Sequence, residues 1–187
     1  VEDIDLLAPL AVLDLTAVAV SVTSLDPRTA RLLEPRAPTP ARRLEAVQKL
    51  SEAGIYVHVN IAPVVPGITD HEIEAIVIAA AKRGASSISF IPMRLPHEVA
   101  PLFEQWLENH YPDRKAKVMS IVRQMRGGKR NDPAFHSRMR GQGPWADLIR
   151  SRLIIASRKA GLKKGKLALR TDLFRRPQIR GSQLELF

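Results

Sequence analysis

"AVSVTSLDP", residues 19–27, alternates. Val20 and Val22 share one face of an extended chain, and Ala19, Ser21 and Thr23 share the other. The pattern predicts a strand over 17–23. Its second face is small and hydroxylated rather than charged. That face can meet water, a packed core or a ligand.

Two later stretches repeat the pattern. In "IYVHVNIAPV" (55–64), Ile55, Val57, Val59 and Ile61 oppose Tyr56, His58 and Asn60. In "SSISFIPMR" (86–94), with the strand placed near 87–94, Ile88 and Phe90 oppose Ser87, Ser89 and Ile91. Helical signals separate them. Thr39 is a candidate N-cap with Pro40 at the first helical position. Leu44, Val47 and Leu50 follow at helical spacing, and Gly54 fits a C-terminal cap. Thr69 and Glu72 have the spacing of a capping box, and Ile73, Ile76, Val77 and Ala80 carry a helix to Gly84.

Strand, helix, strand, helix, strand implies an α/β chain with a parallel sheet. A doubly wound sheet would show two apolar faces. One apolar and one small polar face suits a barrel, whose interior either lines a cavity or is filled by its own hydrogen-bonded side chains. Three strands cannot close a barrel, so partner strands are expected upstream of Val1.

Outside these units, "LLAPLAVLDL" (6–15) predicts a short helix interrupted near Pro9. "RAPTPARRL" (36–44) stops and restarts the chain. Beyond Pro96 the chain reads as helical, with stripes of Val99, Leu102, Phe103, Trp106 and Leu107, then Val118, Ile121, Val122 and Met125. Another helix spans Trp145 to Ala160, built around Leu148, Leu153, Ile154 and Ile155. The expected organisation is barrel-derived over 1–96, a helical extension with a basic, glycine-rich loop over 97–161, and a flexible basic tail over 162–187 ending in "QLELF".

The 187 residues are 45% hydrophobic and 26% charged, an ordinary globular balance. No apolar run approaches the roughly 20 residues that span a bilayer, and no leader is evident. With no cysteine, disulfides and thiolate-held metals are excluded from this chain; cytoplasmic location is the expectation. The five histidines (58, 71, 97, 110 and 136) have no ligand spacing. The net charge of +10 is uneven: residues 1–112 carry −5 and residues 113–187 carry +15. That back half is either a solvated basic surface or the partner of a polyanion.

Ser21–Asp26, Glu34–Arg36, Ala53–Gly54, Ala62–Gly67 and Arg94–Pro96, extended by "MRGG" (125–128) and "RMRGQGPWADLI" (138–149), resemble the radical S-adenosylmethionine (radical SAM) superfamily. The subgroup is similar to spore photoproduct lyase and is often labelled DNA repair photolyase. The resemblance implies the C-terminal part of a partial (βα)6, TIM-like barrel, followed by a helical basic extension. It implies a lyase-like iron–sulfur enzyme that cleaves S-adenosylmethionine reductively, with nucleic acid as substrate and DNA repair as its role. The family holds its 4Fe–4S cluster through a CxxxCxxC loop. Those ligands are absent here and are expected upstream, so the chain alone is expected to be inactive. A non-catalytic DNA- or clamp-binding module is the alternative.

By the same resemblance this half supplies the far wall of the cofactor pocket: Ser21 and Thr23, Asn60, Ala62 and Pro63, Ile91, and Arg94 for a carboxylate or phosphate. The expected catalytic and metal-ligating residues in this chain are none. Glu34 and Arg36 are a candidate local ion pair. Arg123, Arg126, Lys129, Arg130, Arg138 and Arg140 surround the glycine-rich loop and are the candidate nucleic-acid contacts. Gln183, Leu184, Leu186 and Phe187 resemble the bacterial sliding-clamp-binding peptide; folding back onto the protein's own helices is the other reading.

Overall fold

The computed structural model describes residues 2–135, 137–162 and 167–176. Three strands, β1 (Val18–Ser21), β2 (Val57–Val64) and β3 (Ser87–Pro92), form a parallel sheet in the order β1–β2–β3. Around them lie α1 (Ile4–Val12), α2 (Pro27–Leu33), α3 (Pro40–Glu52), α4 (Ile73–Lys82), α5 (Val99–His110), α6 (Pro112–Met125) and α7 (Gly143–Lys159). The small parallel sheet is compatible with part of a radical SAM barrel. No helix among the described residues is long and apolar enough to cross a membrane.

In β2 the alternation sorts the side chains as expected, whereas in β3 Ser87 is buried and Ile88 and Phe90 are only part-buried. Val57, Val59 and Ile61 are fully buried on one face of β2. They pack with Val47 and Leu50 of α3, Ile73, Ile76, Val77 and Ala80 of α4, and Ile149, Leu153 and Ala156 of α7. Each Val, Leu or Ile side chain among them contributes about 1.5–3 kcal/mol by leaving water. A second cluster joins Val65, Ile68, Met93 and Leu95 to Phe103 and Leu107 of α5, and to Val118, Val122 and Met125 of α6. Trp145 packs against both clusters, and its indole N–H donates to Asp70 at 3.1 Å.

Local chemistry fixes the helix starts. Asp26 caps α2, accepting from Thr29 N–H at 2.8 Å, with Pro27 at the first helical position. Thr39 caps α3 ahead of Pro40 in the same way. The apolar periodicity does not predict α2, although the Asp26–Pro27 pair marks its start.

Four expectations need correction. α1 runs through Pro9 without interruption; Ile4, Leu7 and Ala11 hold it against the main core. The capping box does not form: the Thr69 hydroxyl accepts from Val65 N–H at 2.9 Å, and Glu72 reaches back to the loop after β1. In α7 the buried face is Ala146, Ile149, Leu153 and Ala156, while Leu148, Ile154 and Ile155 are exposed. In α5, Val99 and Leu102 are exposed, leaving Phe103 and Leu107 as the buried stripe.

Candidate functional site

The parallel register brings the C-terminal ends of the strands together. Ser21 pairs with Asn60, and Asn60 with Ser89. Ser21 is exposed and Asn60 half-buried. Ser89 Oγ donates to Asn60 Oδ1 at 3.2 Å. Neither the Ser21 hydroxyl nor the Asn60 amide nitrogen has a hydrogen-bond partner among the described residues. Ala62 and Pro63, joined by a cis peptide, are half-buried just beyond, as are Ile91 and Arg94 at the end of β3.

Thr23 does not belong to this open set. It is 1% exposed, and its one hydroxyl proton is shared between Glu34 Oε2 at 2.7 Å and the Ala62 carbonyl at 2.9 Å. Glu34 pairs with Arg43 at 2.9 Å, which replaces the expected pair with Arg36. Arg43 also donates to the carbonyls of Ser21 at 2.9 Å and Pro38 at 3.1 Å. Thr23, Glu34 and Arg43 therefore lock the end of β1 onto α3.

Glu72 secures the other side of that loop. Its buried carboxylate accepts from the Ser24 hydroxyl at 2.7 Å, Leu25 N–H at 2.6 Å and Asp26 N–H at 3.3 Å. The sequence hid this role, because its 48-residue separation from Ser24 leaves no local signal.

Further down the same sheet face, His58 is satisfied by its neighbours. Nδ1 lies 2.7 Å from Ser87 Oγ and Nε2 lies 2.8 Å from Ser89 Oγ. With the Ser89 proton on Asn60, Nε2–H donates to Ser89 and Nδ1 accepts from Ser87. Burial lowers the His58 pKa below its ordinary value, which favours the neutral ring this network needs. Tyr56, His58, Ser87 and Ser89 line a cavity of about 860 Å³, walled on its apolar side by residues such as Leu153, Ile154 and Leu162.

The basic segment divides by depth. Arg123, Lys129, Arg130 and Arg140 are exposed, and Arg130 pairs with Glu104 at 3.2 Å. Arg138 is part-buried, its guanidinium 4.9 Å above the Phe135 ring. Arg126 departs from the expected surface cluster. It is 4% exposed and donates to the carbonyls of Arg138 at 2.8 Å and Met93 at 3.0 Å. Burial first, and neighbouring Arg94 second, push its pKa below the usual arginine value, with Asp132 opposing. Gln183, Leu184, Leu186 and Phe187 lie outside the described residues.

Residues 1–79 match the family model of the radical SAM superfamily. The match covers β1, β2 and most of α4, and supports membership of that superfamily. Uncharacterized protein Rv2578c of Mycobacterium tuberculosis (strain ATCC 25618 / H37Rv) is 29% identical over 123 residues, covering 65% of this chain and 36% of its own length. Uncharacterized protein Mb2609c of Mycobacterium bovis shares the same identity and coverage. Uncharacterized protein ORF301 of Acidianus two-tailed virus is 40% identical over 65 residues, covering 35% of this chain and 21% of its own. The chain thus spans about a third of the length of the mycobacterial relatives it matches. No solved structure matches it.

The radical SAM superfamily implies two groups in general, S-adenosylmethionine and a 4Fe–4S cluster. Ser21 and Asn60 offer unpartnered hydroxyl and amide groups, adjacent in register, suited to the hydroxyl and carboxylate groups of S-adenosylmethionine. The 4Fe–4S cluster finds no fit in this chain: it has no cysteine, and no cluster of three or more His, Asp or Glu converges among the described residues.

Proposed function

We propose that this chain forms the C-terminal part of a radical SAM enzyme, of the subgroup similar to spore photoproduct lyase, acting in the cytoplasm on nucleic acid in DNA repair. The observation that carries the reading is the in-register Ser21–Asn60 pair, open at the strand ends inside a superfamily match. Ser21 and Asn60 hold polar groups of S-adenosylmethionine, Ala62, Pro63 and Ile91 pack on its adenine, and Thr23 acts indirectly by fixing the Ser21 backbone. When bound, and reduced by an electron from a cluster held outside this chain, the cofactor supplies a carbon radical for hydrogen abstraction. The protein's part is to orient the cofactor and exclude water.

S-adenosylmethionine binding to the 187-residue chain, followed by calorimetry, tests this. Asn60→Ala is expected to weaken binding at least about fivefold, the loss of one hydrogen bond of about 1 kcal/mol. Unchanged affinity in both Ser21→Ala and Asn60→Ala would remove the assignment. The isolated chain, given iron and sulfide, is expected to yield no 5′-deoxyadenosine, whereas the full-length protein yields it anaerobically.

A second reading, a non-catalytic module binding DNA or a sliding clamp, draws on the +15 charge of residues 113–187 and on "QLELF". Exposed Arg123, Lys129, Arg130 and Arg140 are its phosphate contacts. Deleting residues 183–187 without loss of stability, but with loss of clamp binding, would favour it.

A further inference from the structure

Sequence order separates Arg94 from Arg126 and Arg138. The fold gathers them at the C-terminal end of β3. Arg126 sits under the loop that follows the strand, its Nη2 donating to the carbonyls of Met93 at 3.0 Å and Pro92 at 3.4 Å, and its Nη1 to that of Arg138 at 2.8 Å. Arg94 follows Met93 directly, and its Nη1 lies 3.3 Å from the sulfur of Met139, the residue after Arg138.

None of the three arginines forms an ion pair among the described residues, whose ion pairs all lie elsewhere. Asp132, whose charge reaches Arg126, is engaged by the Ser137 hydroxyl and Ala134 N–H. The Nε–H of Arg94, of Arg126 and of Arg138 is buried without an acceptor. A single orphaned N–H is a minor defect; orphaned N–H groups on Arg94 and Arg126, whose charges act on each other, and on Arg138, whose backbone carbonyl holds Arg126, are a costly arrangement with no ion pair, and Asp132 offsets it at Arg126 by charge alone.

We propose that Arg94, Arg126 and Arg138 form a binding site for a phosphate group at the C-terminal end of β3. Arg126 is the fixed charge at its base, because its Nη atoms are committed to carbonyls. Arg94 and Arg138, each part-exposed, supply the guanidinium edges that close on phosphate oxygens. Phe135 covers the face of Arg138 and leaves the edge of its fork for the anion. The site rests on the nucleic-acid reading only for the source of the phosphate, a backbone phosphodiester.

Thermal unfolding of the 187-residue chain in inorganic phosphate, against chloride at matched ionic strength and pH, tests the site itself. The midpoint is expected to climb with phosphate concentration in the wild type, and to lose that climb in Arg94→Gln and in Arg138→Gln. These positions are part-exposed, so both variants are expected to fold; Arg126→Lys, which keeps the charge, is a further control. Equal midpoints in phosphate and chloride, or an undiminished climb in both variants, would overturn the proposal. So would stabilisation by S-adenosylmethionine that depends on Arg94 and Arg138 while phosphate has no effect, since the site would then hold a carboxylate. A short single-stranded oligodeoxynucleotide tests the source. Its salt-dependence slope is expected to drop by about one contact's worth in either variant. Stabilisation by phosphate without oligonucleotide binding would keep the site and sink the nucleic-acid reading.

Discussion

Replacing Glu72 by alanine should loosen the end of β1 more than any other single change in that loop. The carboxylate accepts three hydrogen bonds, two of them short, at 2.7 Å from Ser24 and 2.6 Å from Leu25. Ser24 is 1% exposed, so water cannot easily take over as acceptor. A hydrogen bond to a charged group contributes about 1.5–3 kcal/mol, and an orphaned buried donor costs about 1–3 kcal/mol. Two strong bonds lost together place the destabilisation at about 3–5 kcal/mol. In a chain of this length each kcal/mol shifts the melting midpoint by about 2–4 °C, so a fall of at least about 6 °C is expected. Urea and thermal unfolding followed by circular dichroism would measure both. Glu72→Gln keeps the volume and one carbonyl oxygen but turns an amide N–H2 toward a donor, so its loss should fall between wild type and Glu72→Ala. A cost below about 1 kcal/mol for Glu72→Ala would refute the reasoning, because the three bonds would then be dispensable.

Other substitutions probe separate parts of the framework. Arg152 forks onto Glu74 at 2.7 and 2.6 Å, tying α7 to α4, and this bond is the main reason the Glu74 carboxyl sits below its ordinary value. The stability it adds is present above the unfolded-state pKa and is lost as pH falls through the folded one; Glu74→Gln should flatten the acid limb below about pH 4.5 and cost at most about 1 kcal/mol near neutrality, since the pair is part-exposed. His58 titrates below its ordinary 6.5 because it is buried, so the unfolded chain takes up protons first and stability falls as pH drops below about 6.5; an unaltered pH profile in His58→Gln would show that the ring carries no such linkage. Gly54 and Gly84 both have left-handed backbones, at φ +75° and +82°, but an added Cβ meets nothing at Gly54 and would lie 2.2 Å from Ser51 Oγ at Gly84. Gly54→Ala should cost about 1–2 kcal/mol for conformation alone, and Gly84→Ala clearly more; equal costs by urea unfolding would mean that Ser51 moves aside freely.

What the sequence disclosed was what period and capping can encode. Val57, Val59 and Ile61 alternate, and all three are fully buried on one face. Thr39–Pro40 announces α3 because cap and first-turn chemistry are local. The lapses share another cause. Glu72 matched a capping box by spacing, yet a carboxylate goes to the richest set of donors, and those lay across the fold in the loop after β1. In α7 the large residues Leu148, Ile154 and Ile155 suggest the apolar face, but the buried face carries small Ala146, packed in the second cluster, and Ala156 beside Ile149 and Leu153 in the main one. Arg126 belonged by composition to a surface patch. Only the three-dimensional path of the chain shows that free carbonyls at Met93 and Arg138 draw it inside.

The hydroxylated face of "AVSVTSLDP" meets different surroundings at each level of the sheet. At the level of His58, serine hydroxyls satisfy a neutral ring beside a cavity, so hydrogen bonding there is largely complete. At the level of Thr23 the hydroxyl is packed away and spent on Glu34 and a carbonyl. Between them, Ser21 is exposed and its register partner Asn60 is half-buried, with only the amide oxygen engaged. Solvent reaches Ser21, so its open hydroxyl costs little, and it can exchange water for a ligand's polar group. The unspent capacity at Ser21 and Asn60 lies at the level at which the proposed cofactor would bind. The locked Thr23–Glu34–Arg43 set above it gives that level a rigid backbone to bind against.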